Sequence, residues 1–294
     1  MRARSLGGPM AALSLGVLVG CSMVVDVERF HENGSASKPA SSVGGGQFLD
    51  LKFTVMGMKP HLLHTFEYRV IDANNLVQSR GVMTPLGTMN VSVTVPKAIP
   101  KSNGPYRLDF YADVNGSGGY DGIGSVISQD HAWRIDPLVD YPAGESAPID
   151  GTVQVVFTHS TSFTDIDQYP SGTPNKAKDT GLAAVVHFVG MGDVVGKLLE
   201  ARVAEKETHH TVALGRIDKI KSAAFDLTVP GVVDVGVDYE VSVYVDANGN
   251  DAYDNPSQAA GDLGYRLTGS STGTGLSVAL DGTLAAHKED VGAP

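Results

Sequence analysis

The chain has 294 residues, 33 acidic against 22 basic side chains and a formal charge of −11. At about 100–200 residues per domain the length fits one large or two ordinary domains, and a 42% hydrophobic fraction can fill packed cores. Acidity without a basic block argues against a nucleic-acid partner, the single cysteine excludes an internal disulfide framework and a four-cysteine zinc site, and no apolar run reaches the roughly 20 residues of a membrane-spanning helix.

Arg2 and Arg4 precede an apolar stretch over residues 10–19 that is too short to span but suits the core of a secretion signal. It runs into Leu18-Val19-Gly20-Cys21. These four residues resemble the lipobox of bacterial lipoproteins, a resemblance confined to residues 1–21. It implies thioether acylation of Cys21, cleavage before it and N-acylation. A short signal peptide followed by a free thiol is the other reading. Cleavage would remove 20 of 294 residues, leaving 274, and two arginines, taking −11 to −13. More than one acyl chain makes attachment stable, so a lipid membrane is the first expected partner. By the same resemblance, Ser22 in place of a retaining aspartate favours the outer over the inner membrane. Residues 21–46 then read as a Gly/Ser-rich flexible tether.

Beyond the tether the chain repeats itself. Gly57-Met58 and Glu67-Tyr-Arg-Val70 recur as Gly190-Met191 and Glu200-Ala-Arg-Val203, at offset 133. Thr94-Val-Pro96 recurs as Thr228-Val-Pro230, at offset 134. Tyr106–Asp121 recurs as Tyr239–Asp254 with seven of sixteen positions identical, and Asp130 to Arg134 as Asp262 to Arg266. This reads as a tandem duplication, residues 47–158 and 180–285, with a tail over 286–294. Two units of this length are paired domains; solenoid repeats are shorter. Residues 159–179, rich in Ser, Thr, Pro and Asp, read as a linker, so cutting there is expected to release two separately folded domains.

Both copies alternate as half-buried strands do: Phe66, Tyr68, Val70; Val91, Val93, Val95; Tyr239, Val241, Val243, Val245; Leu276, Val278, Leu280. Pro60–Phe66 and Val194–Leu199 could each be one helical turn or a strand start. About seven short strands per copy predict an all-β fold of two tandem antiparallel β-sandwiches, immunoglobulin-like or transthyretin-like.

The repeated loop carries the most chemistry. It places Asp113, Asn115, Ser117 and Asp121 in the first copy, and Asp246, Asn248, Asn250 and Asp254 in the second, at the first, third, fifth and ninth positions. This order is similar to the start of an EF-hand-type calcium loop. Asp251 stands where the sixth-position glycine should be and no glutamate closes the twelfth position, so Asp130 or Asp262 would have to complete the shell. A metal-free hairpin accounts for the same residues, since Asn-Gly is a strong turn signal and aspartate bonds turn backbone. Calcium is the one cofactor the sequence suggests. The second copy, with 14 acids against 7 bases where the first has 11 against 8, is its better home.

The first copy carries Met56, Met58, His61, His64 and His131, donors suited to copper or another soft metal, and the second keeps Met191 without the histidines. The aligned Val194, Lys197 and Leu263 are not ligands of that kind. His209 and His210 are adjacent, and neighbouring strand residues point to opposite faces.

Phosphate-loop, dinucleotide, Gly-x-Ser-x-Gly and His-Glu-x-x-His motifs are missing, and no catalytic residue is assigned. The expected function is that of a non-enzymatic surface or periplasmic lipoprotein whose domains bind a protein or glycan. A metal-handling lipoprotein and an enzyme on a sandwich are the alternatives.

Overall fold

The computed structural model describes residues 47–102, 104–123, 129–139, 151–169, 171–250, 254, 256, 261–283 and 291. Cys21, the lipobox and the tether lie outside them. The first repeat forms β1 (Phe48–Met56), β2 (Thr65–Ile71), β3 (Val77–Met83), β4 (Val91–Pro100), β5 (Tyr106–Asp113), β6 (His131–Val139) and β7 (Thr152–Thr158). The second forms β8 (Ala184–Val189), β9 (Leu199–Glu205), β10 (Thr211–Ile217), β11 (Phe225–Val229), β12 (Asp238–Val245), β13 (Leu263–Ser270) and β14 (Leu276–Asp281). The stretches before β2 and β9 each contain a single 3-10 turn, Lys59–His61 and Gly192–Val194.

The two repeats have one topology. Three strands form an outer sheet, in the order β4-β1-β7 and its counterpart β11-β8-β14. The other four run β3-β2-β5-β6 and β10-β9-β12-β13. Alternation fills each interior. Leu49, Leu51, Phe53 and Val55 of β1 meet Phe66, Tyr68 and Val70 of β2 in one core. Leu199, Ala201 and Val203 of β9 meet Val241, Val243 and Val245 of β12 in the other. The β-sandwich architecture read from the sequence is therefore present twice.

The four-stranded sheets are not separate. β3 and β10 pair in parallel, Arg80 with Ala213 through Met83 with Arg216, making one eight-stranded sheet. The pairing joins residues 133 apart, whereas Gly81 and Gly215, which take equivalent places opposite Tyr68 and Ala201, are 134 apart. Each strand therefore sits one residue out of step with its counterpart. Side chains alternate along a strand, so one residue changes the face. The two cores consequently lie on opposite faces of the shared sheet. Each strand also reaches across: Val82 of β3 is buried in the second core and Leu214 of β10 in the first.

Residues 159–169 and 171–179 pack along the four-stranded sheet of the first repeat, on its face away from the core. Ile166 is buried against Tyr111 and Ala132. The Arg134 guanidinium donates to the carbonyls of Ile166 and Gln168 at 2.6 and 3.0 Å, and Lys178 exchanges backbone bonds with Val77 and Asn75. Beneath lies an ion-pair layer in which Arg69 and Arg80 meet Glu67, and Arg107 and Arg134 meet Asp109. Arg80 also holds Asp179 at 2.9 Å and donates to the carbonyl of Pro230 in the second repeat.

Because β3 and β10 are parallel, the loops at their C-terminal ends emerge at the same end of the molecule. In each repeat that end also carries the loop between the fifth and sixth strands. Phe48, the first residue of β1, lies at the other end, where its ring stacks on His210 in the β9–β10 turn, centroids 4.9 Å apart.

Candidate metal centres at the loop end

Two kinds of donor cluster occupy this end. The first is the repeated carboxylate loop. β5 delivers Asp113 and β12 delivers Asp246, 4% and 2% exposed; the residues just before β6 and β13 bring Asp130 and Asp262, 1% and 0% exposed. Buried carboxylates need donors, and the loop backbones supply them identically in outline. Asp113 accepts the N–H groups of Gly116, Ser117 and Gly118 at 2.7–3.0 Å, and Asp246 that of Gly249 at 2.7 Å. Asp130 accepts from Val114 and Asp121, and Asp262 from Ala247 and Asp254. Gly116 and Gly249 have φ of 73° and 76°, the left-handed conformation that lets the loop turn its N–H groups inward.

The third and fifth positions serve the turn as well. Asn115 and Asn248 donate to Asp121 and Asp254, each at 2.6 Å, and take N–H bonds from Ser117 and Asn250 on their carbonyl oxygens. The Asn250 amide also donates to Asp254, and Ser117 Oγ to the carbonyl of Gly119. Asp113 and Asp121 nonetheless add negative charge to a site that already buries Asp130. Burial first, then those neighbours, raise the Asp130 carboxyl to about 6 against opposing backbone bonds, and burial raises Asp262. The donor set is all oxygen, and Asp130 keeps a second lone pair on each carboxylate oxygen. Oxygen is the donor type a hard cation takes, but among the described residues no three carboxylates are arranged around one point, and the Asn and Ser side chains are engaged with the turn.

The second cluster is imidazole. The 3-10 turn buries His61, and the strand register Ala112 with His131 brings His131 beside it. His64 closes the same loop. The chain leaving β7 adds His159, whose Nε2 is 3.1 Å from Nε2 of His61. His159 lies beyond the first repeat in sequence, 98 residues from His61, and only the parallel pairing of β7 with β1 carries it back. Phe163 stacks on His131 at 3.9 Å, and Trp133 stands 5.6 Å from both His61 and His159. The Nδ1 atoms of His61, His64 and His131 are buried without a hydrogen-bond partner. Such atoms cost about 1–3 kcal/mol each. Burial, then the neighbouring His131, His159 and His64, hold His61 down to about 4.

Met58 is fully buried in the first core, and Met56 lies on the face of β1 opposite that core. Between the repeats at the same end a cavity of about 300 Å³ is lined by Lys197, Lys219, Asp218 and Asp246. His209 and His210 fall in the turn before β10; only His210 is buried.

No protein-family model matches the chain, and no curated protein matches it. Among solved structures it is similar to the tip fimbrial protein Mfa3 of Porphyromonas gingivalis, at 10% identity over 75% of this chain and 81% of that one, TM-score 0.24. The fimbrial anchor protein Mfa2 of the same organism matches at 8% identity over 75% and 81%, TM-score 0.21. Likenesses of this size carry no argument about function.

Proposed function

We propose that the protein is a non-enzymatic, lipid-anchored envelope protein that presents its loop end to a protein or glycan partner, with calcium stiffening the repeated loops. The carrying observation is one of placement. Phe48, where the tether would enter, is at one end, and both carboxylate loops and the imidazole cluster are at the other. An acyl anchor on Cys21 would then leave the loops facing away from the bilayer. Loops fixed on a rigid sheet are the usual carriers of recognition. The lipobox favours the outer membrane through Ser22.

Cell fractionation tests the anchor. Wild-type protein should sediment with membranes, and Cys21→Ala should release it or leave it uncleaved. Wild-type migration and fractionation of the mutant would reject the reading.

A further inference from the structure

At the loop end of the first repeat, His61 stands at ligand-like spacing from two other histidines, His159 and His131. Zinc-type metals hold imidazole nitrogen at about 2.0–2.1 Å. Two such nitrogens stand about 2.9 Å apart at a right angle and about 3.3 Å apart at the tetrahedral angle. The His61 and His159 Nε2 atoms are hydrogen-bonded at 3.1 Å, a separation that falls between those limits, so an ion would take the place of the shared proton. Adding about 1.1 Å from nitrogen to ring centre puts the centroids of neighbouring tetrahedral ligands about 5.2 Å apart. The His61 centroid is 5.0 Å from His159, 5.0 Å from His131 and 6.2 Å from His64.

We propose that His61, His159 and His131, with His64 in reach as a fourth ligand, bind one divalent ion of the copper, nickel and zinc group. Imidazole-only donors favour these ions over calcium or magnesium. The buried Nδ1 atoms of His64 and His131 have no hydrogen-bond partner and are available as donors, whereas His61 would ligate through the Nε2 that faces His159. As they stand, no three His, Cys, Asp or Glu side chains among the described residues are arranged to hold an ion. Capture therefore turns the half-exposed His131, and His64 where it joins, toward the His61–His159 pair. Aromatic neighbours wall the site on one side: Trp133 donates its indole N–H to the Ser160 carbonyl at 2.9 Å, and Phe163 covers His131. This inference stands apart from the anchoring and calcium readings, and its donors differ from the Met56 and Met58 set.

Trp133 is the chain's single tryptophan and a built-in reporter. Full-length protein stripped with EDTA is titrated with Cu²⁺ near neutral pH while indole fluorescence is followed. Quenching should saturate at one equivalent, and prior addition of Zn²⁺ should suppress it. His61→Ala and His159→Ala should each weaken the binding about tenfold or more, whereas Met56→Leu and Met58→Leu should leave it unchanged. His159 is partly exposed, so its variant should keep the wild-type melting profile and carry the test if His61→Ala fails to fold. Unsaturable quenching in the wild type, or undiminished affinity in His159→Ala, would overturn the site.

Discussion

Asp130 shows what a single residue asks of its surroundings. Its carboxyl titrates near 6 in the fold, against an ordinary 3.8 in the unfolded chain. Between those values the folded state holds the extra proton, so this group's contribution to stability falls as pH rises from about 4 to 6. A bound cation would relieve that repulsion. Calcium binding only the native state stabilises it by about 2.7 kcal/mol at a hundredfold excess over Kd. Millimolar calcium should therefore raise the melting temperature at neutral pH and less so near pH 4. Asp246→Ala should remove more of this calcium-dependent shift than Asp113→Ala, because the second loop adds Asp251 and affinity follows ligand charge. An unchanged melting curve together with a flat calorimetric titration would leave both loops as turns held by backbone bonds.

At the scale of elements, the two inward-facing glycines of β3 and β10 let each central strand approach its core. A Cβ on Gly81 would stand 2.0 Å from Cε1 of Tyr68, a fully buried ring. A Cβ on Gly215 would stand 2.6 Å from the Cδ2 methyl and 2.8 Å from the Cγ of Leu227, a less severe overlap with a side chain of the second core. Overpacking of this kind costs about 1–3 kcal/mol, and more where nothing can give. Gly81→Ala should thus lower chemical-denaturation stability by about 3 kcal/mol or more, and Gly215→Ala by about 1–2 kcal/mol. Equal losses in the two variants would show that the Tyr68 ring moves as readily as the leucine.

For the whole molecule, the shared sheet makes the repeats interdependent. Separation would expose the facing edges of β3 and β10 and pull Val82 and Leu214 out of each other's cores. Burial of a Val or Leu side chain contributes about 1.5–3 kcal/mol. Separation would also strip Arg80 of Pro230, and residues 159–169 and 171–179 pack on the first repeat's four-stranded sheet. A protease site placed within 159–179 should therefore give a nicked protein whose halves stay together and unfold in one transition. Two transitions, or halves that part without denaturant while each keeps dispersed amide signals, would restore the expectation of independent domains.

The duplication, the strand alternation and the carboxylate loops were legible in the chain, because each is local: a two-residue period, a turn motif and an offset need no knowledge of what lies across the fold. His61 and His64 are local in the same way, whereas His131 was grouped with them by residue type alone and reaches His61 through the pairing of β5 with β6. The tertiary structure alone decided the rest. The repeat offset of 133 to 134 does not say that β3 will pair with β10, since two free sheet edges carry no sequence label for each other. The linker composition did not reveal that Ile166 is buried, because one apolar residue among polar ones has no period to read. His159 escaped for a related reason. It sits outside the repeat that it completes, and only the parallel return of β7 along β1 brings its ring to His61.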